Sequence, residues 1–220
     1  MFFKIYDNLI DQESLTKLNE TLFDKFFPWY FFNKTVDIVD NQDNLFHSPP
    51  VLRHCFALEE KIESNLFFLI EPILNSIAEK FQSNIAIVNA HGNLMMPSAI
   101  TTEKLDIPHI DLDGNSDDLY TAIFYLHDSK EPTVIYNETT NSNSSIDVSN
   151  LSVKTKVIPK KNTLSIWRTP RIHSAPGSVS NPRIVINLNF RILDQRHIKS
   201  NDPEFASMDD IKDRFESECG

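Results

Sequence analysis

The sequence predicts an α+β protein in which N-terminal helices pack on one face of a β-sandwich or barrel. A jelly roll is one of the few ways to arrange that many strands. Three observations carry this. Residues 11–27 and 58–82 repeat apolar side chains at three- and four-residue intervals, the period of an amphipathic helix. From residue 84 onward the chain turns to short runs rich in β-branched and aromatic residues, separated by polar turns, as strands are. Strand and helix do not alternate, which argues against a doubly wound parallel sheet.

The elements follow in order. "FFKIYDNL" reads as a short opening strand. In "DQESLTKLNETLFDKFF", Asp11 is placed to cap a helix and Glu13 suits the positive end of its dipole. Leu15, Leu18, Leu22 and Phe26 form one apolar stripe there. A second helix is expected over "LEEKIESNLFFLIEPILNSIAEKFQ", with Pro72 kinking it or dividing it in two. The strands expected next are "NIAIVNA", "LYTAIFYLHD", "EPTVIYNE", "LSVKTKVIP", "NTLSIW" and "PRIVINLNFRI". Residues 137–150 are polar with little to bury and read as a mobile loop. Ser207 with Asp210 resembles a capping box for a short terminal helix. One domain spans 1–220, divided into a helical layer over 1–83, a β core over 84–192 and a tail over 193–220.

Composition narrows the function classes. Apolar residues make up 40% and charged residues 24% of the 220 residues, as in an ordinary globular protein. Sixteen Phe against four Gly point to an aromatic core. The net charge of −10 repels polyanions and argues against broad nucleic-acid or anionic-membrane binding. Two cysteines far apart, Cys55 and Cys219, give no disulfide framework. No secretory signal or membrane span is read, so a cytoplasmic protein is the expectation.

The chemistry centres on "LDIPHIDLDG", which sets His109 two residues before Asp111. Alone, these are turn residues in a proline-containing loop. His173 follows 62 residues after Asp111, and Arg183 ten residues after His173. Two imidazoles and a carboxylate suit Fe(II) bound on one face, with coordination positions left open for other ligands. Arginine pairs bidentately with a carboxylate and stays protonated.

In this ordered set the chain resembles the 2-oxoglutarate/Fe(II)-dependent dioxygenases, in particular the prolyl-4-hydroxylase-like branch, over about residues 84–192. "TAIFYLHD" looks like that branch's Tyr-Leu-Asn strand and places Tyr125 sixteen residues after His109. "VIPKKNTLSIW" resembles the strand leading to the second histidine, and "RIVINLNF" the last strand of bacterial and phage-type members. The resemblance implies a double-stranded β-helix (jelly roll) core, with His109, Asp111 and His173 as iron ligands. It implies Arg183 and Tyr125 as anchors of the 2-oxoglutarate co-substrate, with O2 as oxidant and ascorbate as a supporting reductant. The implied activity is hydroxylation of an unactivated C–H in a peptidyl side chain, an amino acid or another small molecule. The chain departs from the branch at His127, where Asn is usual, and at "KEPT", where Gly-Gly is usual; both put the substrate side in question.

Two other readings compete. "NLNFR" looks like the end of the signature of oxidative demethylases of alkylated bases, but the first arginine of that signature falls at Val185. A non-catalytic jelly-roll metal-binding module is the third. His91 and Asn89 are candidates for reaching the pocket and Arg168 and Arg171 for lining its mouth, whereas His47, His54 and His197 read as structural or exposed.

Overall fold

In the computed structural model, residues 2–34, 49–97, 107–113, 116–175 and 181–193 are described. The first part of the chain forms β1 (Phe3–Asp7), α1 (Gln12–Leu22), β2 (Tyr30–Phe32), β3 (Val51–Leu58), β4 (Lys61–Ile62) and α2 (Glu71–Phe81). Then come β5 (Asn84–Met95), β6 (Leu119–Tyr125), β7 (Thr133–Tyr136), β8 (Val153–Val157), β9 (Thr163–Arg168), β10 (His173–Ser174) and β11 (Arg183–Leu193). Eight strands make a large sheet in the order β1-β9-β6-β11-β5-β3-β2, with β4 paired to β3; a small sheet runs β10-β7-β8. Every pairing is antiparallel. This is the predicted jelly-roll core with helices on one face.

Alternation along the strands explains the layering. Ala90, Ala122, Phe124, Leu164, Ile166, Ile186 and Leu188 belong to one buried cluster with Leu15, Leu18 and Leu22 of α1 and Ile73, Leu74 and Ile77 of α2. The opposite face of the same strands carries Asn187, Asn189, Thr121 and Ser165 and looks into the roll toward the small sheet. One face therefore stabilises the fold, and the other is available for chemistry.

The helices differ from expectation in length. α1 starts as predicted: Asp11 accepts hydrogen bonds from Ser14 N (2.9 Å) and Ser14 Oγ (2.7 Å). It ends at Leu22, so Phe26 leaves the stripe and is 81% exposed. The second helix is shorter still. Leu58–Ile62 is a hairpin, because Glu59 and Glu60 both adopt positive φ (50° and 66°), the backbone of a tight primed turn. Pro72 stands in the first turn of α2, where its missing N–H costs nothing, and a single 3-10 turn at Phe67–Leu69 precedes it. The stretch 1–83 thus contributes β2, β3 and β4, where the sequence predicts only the opening strand. The expected terminal helix at 207–218 lies outside the described residues, as do His47 and His197. Among the described residues no helix is long and apolar enough to cross a membrane.

Candidate metal centre

His109 and His173 are locked to each other through the backbone. Each peptide N–H donates to the other's carbonyl oxygen, both at 2.9 Å, in an isolated antiparallel bridge. Directly opposed residues of such a pair project to the same side, and the two imidazole centroids lie 4.5 Å apart. β7 supports this bridge from behind, since Ile135 is the register partner of His173. Asp111, two residues on from His109, returns its carboxylate to the same point. Its Oδ1 lies 3.6 Å from His109 Nε2 and 3.4 Å from His173 Nε2, and the three donor atoms all fall within 4.8 Å of one another. Ligands on one octahedral face with bonds of about 2.1 Å sit about 3 Å apart, so a small inward adjustment seats an ion.

The surroundings prepare these donors. His109 Nδ1 meets the Ile107 carbonyl at 2.8 Å and His173 Nδ1 the Arg171 carbonyl at 3.2 Å. A carbonyl only accepts, so each ring carries its proton on Nδ1 and offers the Nε2 lone pair toward Asp111. Asp111 Oδ2 accepts from Asn189 Nδ2 (3.1 Å), which also donates to Thr121 Oγ1. Between the two ligands, Asn143 clamps Ile110: its Oδ1 accepts from Ile110 N (2.8 Å) and its Nδ2 donates to Ile110 O (2.9 Å). Residues 137–150, expected as a loop between strands, carry two 3-10 turns and meet Ile110 here through Asn143.

Electrostatics agree with a cation site. Burial first, and then the neighbouring His173, push His109 down to about 4, so its imidazole is neutral. Burial acts to raise Asp111, but the neighbouring His173 and His109 imidazoles and the hydrogen bond from Asn189 outweigh it and hold the carboxyl well below its usual range. Neutral nitrogen donors with an ionised oxygen donor fit Fe(II).

A second polar cluster joins β11, β6, β7 and β9. Arg183 opens β11 and is 3% exposed. Its Nη2 donates to Thr133 Oγ1 (3.3 Å), and its guanidinium carbon lies 5.9 Å from the Tyr125 ring centroid. The Tyr125 hydroxyl donates to Thr133 Oγ1 (2.9 Å) and shares a hydrogen bond with Ser165 Oγ (3.0 Å). Burial raises the Tyr125 pKa, which keeps that hydroxyl a neutral donor. Thr133 is two residues along β7 from the partner of His173, a rise of about 7 Å.

No family model matches the chain, and no curated protein matches it in sequence. Solved structures do. A 2OG-Fe(II) oxygenase family oxidoreductase from Burkholderia pseudomallei superposes with TM-score 0.59 at 10% identity, over 86% of this chain and 84% of that one. The non-heme alpha-ketoglutarate-dependent carbocyclase SnoK from nogalamycin biosynthesis does so with TM-score 0.59 at 11% identity, over 86% and 79%. The viral collagen prolyl hydroxylase vCPH from Paramecium bursaria Chlorella virus-1, in its 2OG complex, gives TM-score 0.51 at 13% identity, over 88% and 97%. The fold is that of the 2-oxoglutarate/Fe(II) oxygenases.

Within this oxygenase fold, all five residues selected from the sequence fall in the two clusters: His109, Asp111 and His173 in one, Tyr125 and Arg183 in the other. Asn143, Asn189, Thr133 and Ser165 join them without a sequence signal of their own. Asn189 lies in the "NLNFR" stretch, but nothing local distinguishes an asparagine that holds a ligand from any other. Asn89 is committed elsewhere, accepting from Glu59 N at 2.9 Å. Arg168 pairs with Asp117 (3.2 Å), and Arg171 braces the Tyr136 and Asn137 carbonyls.

Proposed function

We propose that the protein is a 2-oxoglutarate- and Fe(II)-dependent oxygenase that hydroxylates an unactivated C–H of a peptidyl side chain or an amino acid. The observation that carries this reading is the convergence of His109, Asp111 and His173 with the buried Arg183–Thr133–Tyr125 cluster one strand repeat away. Bound Fe(II), with O2 and 2-oxoglutarate, supplies the oxidation: R–H, O2 and 2-oxoglutarate give R–OH, succinate and CO2. His109, Asp111 and His173 hold the ion on one side and leave the other open. Arg183 pairs with the far carboxylate of the co-substrate, and Tyr125 and Thr133 add hydrogen bonds to it. Trp167, fully buried with its ring centroid 5.0 Å from that of His173, keeps water from that side of the centre.

The base-demethylase alternative is not supported. Arg191, at the last position of that signature, is engaged by Asp118 (3.2 Å) and Glu60 (3.6 Å), and Val185 stands where its first arginine would. A non-catalytic metal module does not account for the buried Arg183 cluster. The test is succinate formation from 2-oxoglutarate with Fe(II), O2 and ascorbate. Fe(II)-dependent succinate supports the reading; none in a protein that also fails to bind Fe(II) overturns it.

A further inference from the structure

The inner face of the large sheet is polar well beyond the metal donors, and ladder register orders it into rows. The first row holds Asn189, opposite Thr121, and fixes Asp111. In the next row His91 of β5 and Asn187 of β11 stand directly opposite each other, with Cys55 of β3 beside His91. His91 Nδ1 and Asn187 Oδ1 are both buried and lack a hydrogen-bond partner among the described residues. Buried polar atoms are nearly always satisfied, and two such atoms on facing residues call for a ligand. One row further, Arg53 of β3 opposes Asn93 of β5. Asn93 Oδ1 accepts from Arg53 Nε (2.8 Å), and the guanidinium carbon lies 5.0 Å from the Phe32 ring centroid, so the group is held in place. Burial holds the His91 ring neutral, its pKa pushed down to about 4.

Resting on the oxygenase reading above, we infer that the β3–β5 side of the roll seats the primary substrate, and that this is a small carboxylic acid carrying an amino or hydroxyl group. Its carboxylate pairs with Arg53, whose planar fork matches it. Its amino or hydroxyl group donates to Asn187 Oδ1 and meets the neutral His91 ring. Its remaining carbon chain points along the sheet toward Asp111 and the metal. A free amino acid or hydroxy acid has these parts in this order. The co-substrate lies on the β11–β6 side, toward Arg183 and Tyr125, so two acids are held by two separate arginines.

The experiment is calorimetric titration of the full chain, loaded with Mn(II) and 2-oxoglutarate, with the L-amino acids, their 2-hydroxy analogues and the corresponding carboxamides. The expected result is binding of at least one acid, with its amide at least tenfold weaker. Arg53→Gln then weakens that acid at least tenfold, and Arg53→Lys recovers part of the loss. Because acid and amide are compared on the unaltered protein, a variant that fails to fold leaves that comparison intact. If 2-oxoglutarate itself does not bind the Mn(II)-loaded protein, the oxygenase reading and this inference fall together. If it binds but no acid does, or amides and carboxyl-blocked peptides bind as well as acids, this inference alone is overturned.

Discussion

Asn143 closes two hydrogen bonds on the backbone of Ile110, the residue between two of the three donors. Removing that clamp leaves every ligand in place but frees the segment that aims them. Asn143→Ala is therefore expected to weaken Mn(II) binding about tenfold, the usual effect of losing a group that orients a metal ligand; unchanged affinity by calorimetry contradicts the role. Arg183→Gln acts in the second cluster. It is expected to raise the KM for 2-oxoglutarate more than about tenfold while Mn(II) affinity stays within about twofold, since a bidentate charged pair is lost and no donor is touched. The donors and Arg183 are legible in the sequence because residue type and spacing are written along the chain. Asn143 and Asn189 are not, because their partners lie 33 and 78 residues away and only the folded sheets bring them together.

Among the elements, α1 is readable from its cap and its stripe, and both act as read. Asp11→Ala is expected to cost about 1 kcal/mol, the worth of an N-cap, seen as a lower urea midpoint with unchanged metal binding. The limit of periodicity shows at Leu58–Ile62. Ile62 falls in phase with the stripe of α2, yet this segment is a hairpin. Glu59 and Glu60 adopt a backbone usually left to Asn and Gly, and the turn is held from β5 by Asn89 Oδ1 and the Val88 carbonyl. No turn signal exists in the two residues themselves; their partners sit about thirty residues downstream. β3 is hidden similarly. Arg53, His54 and Cys55 interrupt its apolar run, and each is polar for a local reason: Arg53 meets Asn93, His54 is bonded to Ser64 and Pro28, and Cys55 flanks His91.

For the whole molecule, four histidines are held neutral chiefly by burial: His91 and His109 down to about 4, and His54 and His127 below the usual value. In the unfolded chain each takes its proton near 6.5; in the folded one, only further down. The unfolded state therefore binds more protons as pH falls, and metal-free protein loses stability progressively from about pH 6.5 toward 4. His109 alone accounts for up to about 3 kcal/mol of that loss. Urea midpoints in the presence of a chelator follow it; an unchanged midpoint between about pH 7 and 5 contradicts it. Added metal works in the opposite direction, stabilising only the folded donors. The most direct measurement is calorimetry with Mn(II) followed by 2-oxoglutarate on the unaltered chain, repeated with Asp111→Ala. One Mn(II) per chain, then one 2-oxoglutarate that requires the metal, with both lost in the variant, is the predicted result. No metal bound, or 2-oxoglutarate bound equally well without it, contradicts the shared centre.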